Sequence, residues 1–453
     1  MNSESHEPRT TLGTQNASSF SAVSGEEHSN SKTCVADWLH YISTMHGKTI
    51  DMTLERVRTV WQRLQCVPTC PVITVAGTNG KGSTCAFLSA ICKAAGLKVG
   101  TYTSPHIWRF NERIALQGVP VEDQVLIKAF EAIDAAREDI SLTYFEWATL
   151  AGLWTFAQAN LDIWILEVGL GGRLDATNII DTTLAIVTPI DLDHQEYLGS
   201  TREAIALEKL GIARSNSLLI LGDANFPEMA CQKAQQLASK VLSLGKDFGY
   251  LTDTPQQWQY WVRASDGNIK RRFGLPWPAL RGEHQLANAS VAITALEYLS
   301  DIGAISMQAI REGLLAVEWP GRFQVLAGQP VTVWDVAHNP HAMKALAINL
   351  EKMAFFPDTW CVWGMLNDKE ALSCAKILQP HVQQWAVCTL EGERRRSSQE
   401  LYNILVSLGV EPKNIHQFDH PTAAYSWVRN EAQLADRIVV TGSFSTLEAV
   451  RDL

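Results

Sequence analysis

The sequence predicts an α/β protein: a phosphate-loop ATPase domain built on a parallel-rich sheet, followed by a smaller C-terminal Rossmann-like α/β domain. Three observations lead there. Short apolar runs such as Ile163-Trp164-Ile165-Leu166 lack polar alternation, as strands buried on both faces do. Helix-length segments separate these runs, the order of a parallel sheet covered on both sides. The alternation breaks at Pro320-Gly321 and then restarts, which marks a boundary between two compact units.

Residues 1–33 are nearly free of bulky apolar side chains and read as a disordered tail, unable to offset the entropy of ordering. The first domain is expected over 34–318, with strands at 71–76, 98–103, 162–167, 184–188 and 218–221. Its helices fit 35–45, 53–65, 84–95, 121–136, 145–159, 201–209, 225–239 and 284–301. The Trp-, Gln- and Gly-rich stretch 246–282 reads as a small antiparallel patch or an irregular segment. The second domain, 319–453, carries strands at 331–335, 360–364, 384–388 and 437–441.

With 453 residues the chain exceeds one ordinary core and suits two or three domains. Its net charge of −10 disfavours nucleic acid or an anionic membrane as partner, since both reward an excess of Lys and Arg. An anionic ligand therefore needs a locally basic pocket. The nine cysteines show no C-x-x-C pair, which fits a reducing, cytoplasmic setting without disulfides. No apolar run of about 18 residues and no apolar leader near Met1 stands out.

The most informative stretch is Val72-Ile73-Thr74-Val75-Ala76-Gly77-Thr78-Asn79-Gly80-Lys81-Gly82-Ser83-Thr84. An apolar strand ends in three glycines, a lysine and a hydroxyl. Glycine backbone can curl its N–H groups around phosphate oxygens, Lys81 adds a mobile positive charge, and the Ser83 hydroxyl can meet Mg²⁺ at the start of the next helix. The spacing departs from the common phosphate-loop pattern, and a purely steric glycine turn is the alternative.

A carboxylate for the metal belongs at the end of a neighbouring strand. Glu167 ends one and precedes the turn Val168-Gly169-Leu170-Gly171-Gly172-Arg173; a solvated strand cap is the other reading. His194, in Asp191-Leu192-Asp193-His194 after the next strand, could ligate a metal or orient phosphate, or be structural. Ser104, in Thr103-Ser104-Pro105-His106, offers a hydroxyl to the same ion or simply a turn. Lys209 ends a helix, where an ordinary lysine favours the helix dipole. Asp335 stands at a strand end in the second domain, able to accept from ribose hydroxyls or to cap a helix. Arg322, beside the interdomain Pro-Gly, could contact phosphate or a surface carboxylate.

Taken together, GTNGKGST (77–84), TSPH (103–106), NERI (111–114), LTYFE (142–146), LEVGLGGRLDATN (166–178), LDH (192–194), EKLGI (208–212), PGRFQ (320–324), DVAHNPH (335–341) and GML-DK (364–369) resemble the Mur-ligase-like superfamily. The resemblance is strongest to its dihydrofolate synthase and folylpolyglutamate synthase family, and spans residue 35 to about 447. It implies an ATP-dependent ligase that activates a pterin carboxylate as an acyl phosphate and joins it to the amine of L-glutamate. By that resemblance Thr78, Asn79, Gly80, Lys81, Gly82, Ser83, Asn288, Arg322 and Asp335 hold ATP. Ser83 and Glu167 serve a first Mg²⁺, Ser104 and His194 a second, and Lys209 matches a lysine that can be carbamylated and so approach the metal. Lys81, His194 and Lys209 are the implied catalytic residues, and Arg113, His338 and Ser443 the implied glutamate contacts.

Asp51, Met52, Thr53 and Leu54, Thr143 to Glu146, and Arg173, Leu174 and Asp175 resemble dihydropteroate-binding segments of bifunctional members. Tyr144 and Phe145 suit stacking on a pterin ring, and Asp175 suits its N–H groups; a helix start with a buried aromatic is the plain alternative. Both dihydropteroate and tetrahydrofolates are therefore expected as substrates, on a monomeric protein. The rivals are a monofunctional folylpolyglutamate synthase, a peptidoglycan-precursor ligase, and a nucleotide-binding regulator without catalysis.

Overall fold

The computed structural model describes residues 32–48, 50–254, 257–264, 266–392 and 394–453, so the expected tail lies outside it up to residue 31. The first sheet has eight strands: β1 (Val72–Ala76), β2 (Val99–Tyr102), β3 (Ile114–Leu116), β4 (Val119–Pro120), β5 (Ile163–Glu167), β6 (Leu184–Val187), β7 (Leu218–Leu221) and β8 (Lys240–Ser243). Their spatial order is β4-β3-β2-β5-β1-β6-β7-β8. All pairings are parallel except those of the β2–β3 and β3–β4 neighbours at one edge.

The unbroken apolar runs follow from burial on both faces. Ile163 and Ile165 enter one core with Ile73 and Val75, under the helices Lys81–Ala94 and His284–Tyr298. Trp164, Leu166 and Val72 point the other way, into a core shared with the helices Val35–Met45, Asp123–Arg137 and Tyr144–Gln158. A two-residue side-chain period with both faces covered leaves no place for a polar alternate.

Stretch 246–282 resolves into an antiparallel sheet of β9 (Phe248–Thr254), β10 (Gln257–Arg263) and β11 (Ile269–Pro276). Trp258 and Tyr260 turn their rings into the first core. The last sheet is ordered β12-β13-β17-β14-β15-β16, from β12 (Gln324–Leu326), β13 (Val331–Trp334), β14 (Thr359–Trp363), β15 (Gln384–Cys388), β16 (Ile415–Phe418) and β17 (Arg437–Thr441). Only β12 runs antiparallel to its neighbour.

The sequence reading lacked β3, β4, β8, β12, β16, the helix Met307–Ala316 and, in the second domain, the helices Ala371–Leu378, Ser398–Ser407 and Pro421–Glu431. The strands among them are short, two to four residues, too few for a periodicity to declare itself. No helix among the described residues is long and apolar enough to cross a membrane.

Candidate active site

β1 lies between β5 and β6, so the loops leaving the carboxyl ends of these three strands converge. In open α/β sheets that is where ligands bind. The loop after β1 is the glycine-rich one. Gly77 sits at φ +149° with its backbone against Thr188; a Cβ there would lie 1.7 Å from the threonine Oγ1, so only glycine fits. Lys81 folds back to donate from Nζ to the carbonyls of Gly77 (3.0 Å) and Thr78 (3.2 Å).

Glu167, at the end of β5, is buried and accepts the Ser104 amide at 3.2 Å. Burial raises its pKa and lowers that of Lys81, while the attraction between the two opposes both shifts. Ser83 is buried in the first turn of the helix Lys81–Ala94, with Gln285 Nε2 reaching its Oγ at 3.4 Å. Gln285 also accepts from Asn288 (2.9 Å), whose side chain covers Gly80.

Lys209 is the unexpected member by local sequence and the most telling one in space. Instead of lying on the surface at its helix end, it is buried, and its Nζ donates to the Gly77 carbonyl at 2.9 Å. Burial, with Lys81 adding repulsion, brings its pKa down to about 7.

The C-terminal sheet faces this cluster with its own loops, those after β13, β17 and β14, again neighbours in the sheet. Asp335 accepts the amides of Phe323 and Ala337, both at 2.8 Å. Burial raises it to about 6, against the pull of Arg322. His338 sets its Nδ1 against the Val336 carbonyl at 2.8 Å, and Ser443 caps the final short helix through the Ser445 amide.

Contacts across the cleft bring Asn79, His194 and His338 together with Asp193, Asn339, His341 and Lys369, which stand in the quoted motifs without an assigned role. Asp193 accepts from Lys369 Nζ at 2.7 Å and from Asn339 Nδ2 at 3.4 Å, with His338 and His194 at 3.8 and 3.9 Å. Burial alone would raise Asp193, yet Lys369 and the two histidines hold it well below the usual carboxylate range. Asn79 and Asn339 exchange amide hydrogen bonds at 3.3 and 3.1 Å, with His341 Nδ1 also 3.1 Å from Asn79. Trp319, from the linker, covers the start of the phosphate-loop helix at Gly82.

Between the two sheets lies a cleft of about 420 Å³, lined by Thr78 to Gly82, Ser104, Arg113, Glu167, His194, Lys209, Arg322, His338 and Ser443. Arg113 is buried, donates to His106 Nδ1 at 2.7 Å and has no carboxylate partner among the described residues. It is a cation held ready for an anion.

A second cavity of about 370 Å³ adjoins the cleft and is lined by Asp51, Met52, Thr53, Thr143, Tyr144, Phe145, Glu146, Leu174 and Asp175. Arg56 ties its wall together, reaching Asp51 at 3.0 Å and Glu146 at 3.1 Å. Asp175 is occupied in shaping its own loop, accepting the amides of Gly169, Leu170 and Thr177 and the Thr177 hydroxyl. Two expected members are not brought here. Arg173 is 56% exposed and pairs with Glu208, and the Gly211 backbone lies close against its Cβ. Leu54 precedes the helix Glu55–Arg63 and packs into the core beneath.

Among the described residues no group of three or more His, Cys, Asp or Glu forms a protein-only metal cage. Glu167, a single buried carboxylate that lines the cleft and accepts the Ser104 amide, is the kind of lone acidic donor that suits Mg²⁺ shared with phosphates and water.

This scaffold and site define a Mur-type ligase. The Mur ligase middle domain model matches residues 75–296, and the Mur ligase glutamate ligase domain model matches 321–444. The chain is 40% identical to the dihydrofolate synthase/folylpolyglutamate synthase of Escherichia coli over 92% of its own length and 95% of that protein. It superposes on E. coli FolC in complex with DHPP and ADP with a TM-score of 0.85 and 39% identity, covering 93% of this chain and 97% of that one. A bifunctional folylpolyglutamate synthase/dihydrofolate synthase with Mn, AMPPNP and L-glutamate bound gives 0.84 and 38%, covering 93% and 98%. The chain belongs to the dihydrofolate synthase/folylpolyglutamate synthase family.

Proposed function

We propose that the chain joins L-glutamate to dihydropteroate, and to tetrahydrofolates to lengthen their glutamate tails, using ATP and a divalent metal at one site. The observation that carries this reading is contiguity. The aromatic cavity and the phosphate cleft share Ser104, Arg113 and His194, so a flat ring seated by Tyr144 and Phe145 has its carboxylate at the phosphate loop. The relatives' names, and the DHPP, nucleotide, Mn and L-glutamate in the structures of related enzymes, support the same substrates here.

The chemistry needs two steps. A substrate carboxylate oxygen attacks the γ-phosphorus of ATP and ADP leaves; the glutamate amine then attacks the acyl carbon, phosphate departs and the amine loses a proton. In the first step anion approaches anion. Arg113 steadies the carboxylate, and Lys81 with the loop N–H groups stabilises charge spreading over the moving phosphoryl group. Mg²⁺, held by Ser83 and Glu167, with a second ion near Ser104, His194 and a carbamylated Lys209, would neutralise phosphate oxygens. In this reading Arg322, Asn288 and Asp335 hold the nucleotide, and His338, Ser443 and Lys369 the incoming glutamate. The boundary falls at 318/319, and the enzyme acts as a monomer.

The test is phosphate release measured with dihydropteroate or tetrahydrofolate as acceptor, each with and without glutamate. Glutamate-dependent release with both acceptors is expected; release with tetrahydrofolate alone would reduce the reading to a monofunctional enzyme. Asp335 adds a pH signature. Its folded pKa of about 6 lies above the ordinary 3.8, so this group favours the folded state at low pH and loses that contribution as pH rises through 6. Nucleotide binding needs the ionised form, so KM for ATP is expected to fall as pH rises through about 6. In Asp335→Asn that dependence should flatten, and an unchanged profile would separate Asp335 from the nucleotide.

A further inference from the structure

Two arginines line both the phosphate cleft and the aromatic cavity: Arg113 and Arg394. Arg113 is buried in the first domain, whereas Arg394 comes from the opposite side, in the basic run Arg394-Arg395-Arg396 after β15. The run is anchored by its backbone. Asn367 N donates to the Arg394 carbonyl (2.8 Å), Arg396 N donates to Met365 (3.2 Å), and Leu366 and Arg395 form an antiparallel bridge. Arg396 braces the partner loop, giving Nη2 to the carbonyls of Asn367 (2.8 Å) and Lys369 (3.3 Å). Arg394, by contrast, is 57% exposed, and its one ion pair among the described residues is a long 3.8 Å contact to Asp368. A fixed backbone thus holds out a lightly engaged guanidinium at the junction of the two cavities.

We infer that Arg394 determines specificity for acceptors that already carry glutamate, by pairing with the α-carboxylate of their terminal residue. The inference rests on the reading under Proposed function. Dihydropteroate reacts through its aryl carboxylate and has no other. A glutamylated acceptor reacts through the terminal γ-carboxylate and brings an α-carboxylate a few bonds behind it, at the junction when the reacting group is at the phosphate loop. Each further residue adds one net negative charge to a substrate that must approach a chain of net charge −10. A guanidinium matches a carboxylate in a two-pronged geometry, and being partly exposed it can do so without displacing a buried partner.

The measurement is kcat/KM for dihydropteroate, tetrahydrofolate and its triglutamate, in wild type, Arg394→Gln and Arg394→Lys. Arg394→Gln is expected to lower the ratio of glutamylated to dihydropteroate kcat/KM at least tenfold, mainly through KM, with Arg394→Lys recovering part of it. Tri-γ-glutamate, as a competitive inhibitor, should inhibit wild type and lose potency by a similar factor against Arg394→Gln. A ratio unchanged within twofold, or equal losses on all acceptors, would overturn the role of Arg394 alone. Wild-type protein that turns over neither acceptor class would instead overturn the ligase reading beneath it.

Discussion

Lys81→Ala is expected to lower both ligations by about 10³-fold or more while leaving the fold in place. The magnitude follows from the position of the charge. Nζ is held against the carbonyls of Gly77 and Thr78, in the glycine-rich loop that lines the cleft. A positive group there acts on charge that develops during transfer, in a site where burial weakens solvent screening. Folding depends on it little, since burial already disfavours the ammonium and the alanine variant removes that cost along with two hydrogen bonds. Thermal unfolding should therefore move by no more than about 3 °C. Unaltered phosphate release by the purified variant would remove Lys81 from the mechanism.

The second large effect concerns Lys209. Its amine is buried beside the phosphate loop and brought down to about 7, so a substantial fraction is neutral near that pH. A neutral amine can add carbon dioxide through its nitrogen lone pair and release a proton, becoming an anion in place of a cation. Lys209→Ala is expected to lose activity by about 10²-fold or more, and formate or acetate to restore part of it by filling the vacated anionic position. Intact-protein mass measured under carbon dioxide should exceed the sequence mass by one such molecule. An unmodified lysine together with absent rescue would leave Lys209 as a buried amine holding Gly77. The stability sign is also fixed. A folded pKa below the ordinary 10.5 means the unfolded chain binds more protons between about 7 and 10.5, so the unmodified lysine makes stability rise with pH across that window.

Much of the site could be read in the sequence because it sits at strand ends. Glu167 and Asp335 each follow an apolar run, and the rule that ligands gather at the carboxyl ends of parallel strands does the rest. Lys209 could not be read this way: its helix-end position looks solvated, and only the packing of its helix against the β1 loop buries it. Asp193, Lys369, Asn339 and Arg394 were hidden for a related reason. Each acquires its meaning from a residue more than a hundred positions away, across the cleft, and no local period encodes that distance. The helix Met307–Ala316 is a different kind of omission. Ser306 caps it, and Ala309, Ile310, Gly313 and Leu314 recur on one buried face, a signal present in the residues themselves.

The paired side-chain amides of Asn79 and Asn339 have a bearing on timing. Each is at once donor and acceptor to the other, so the bond is complete only when both halves of the molecule are in register. Drawing the halves apart would leave two amides unmatched at the tip of the phosphate loop and strip Lys369 from Asp193 in the same movement. If the reaction runs as proposed, this pairing makes the phosphate loop and the proposed seat of the incoming amine come together in a single movement.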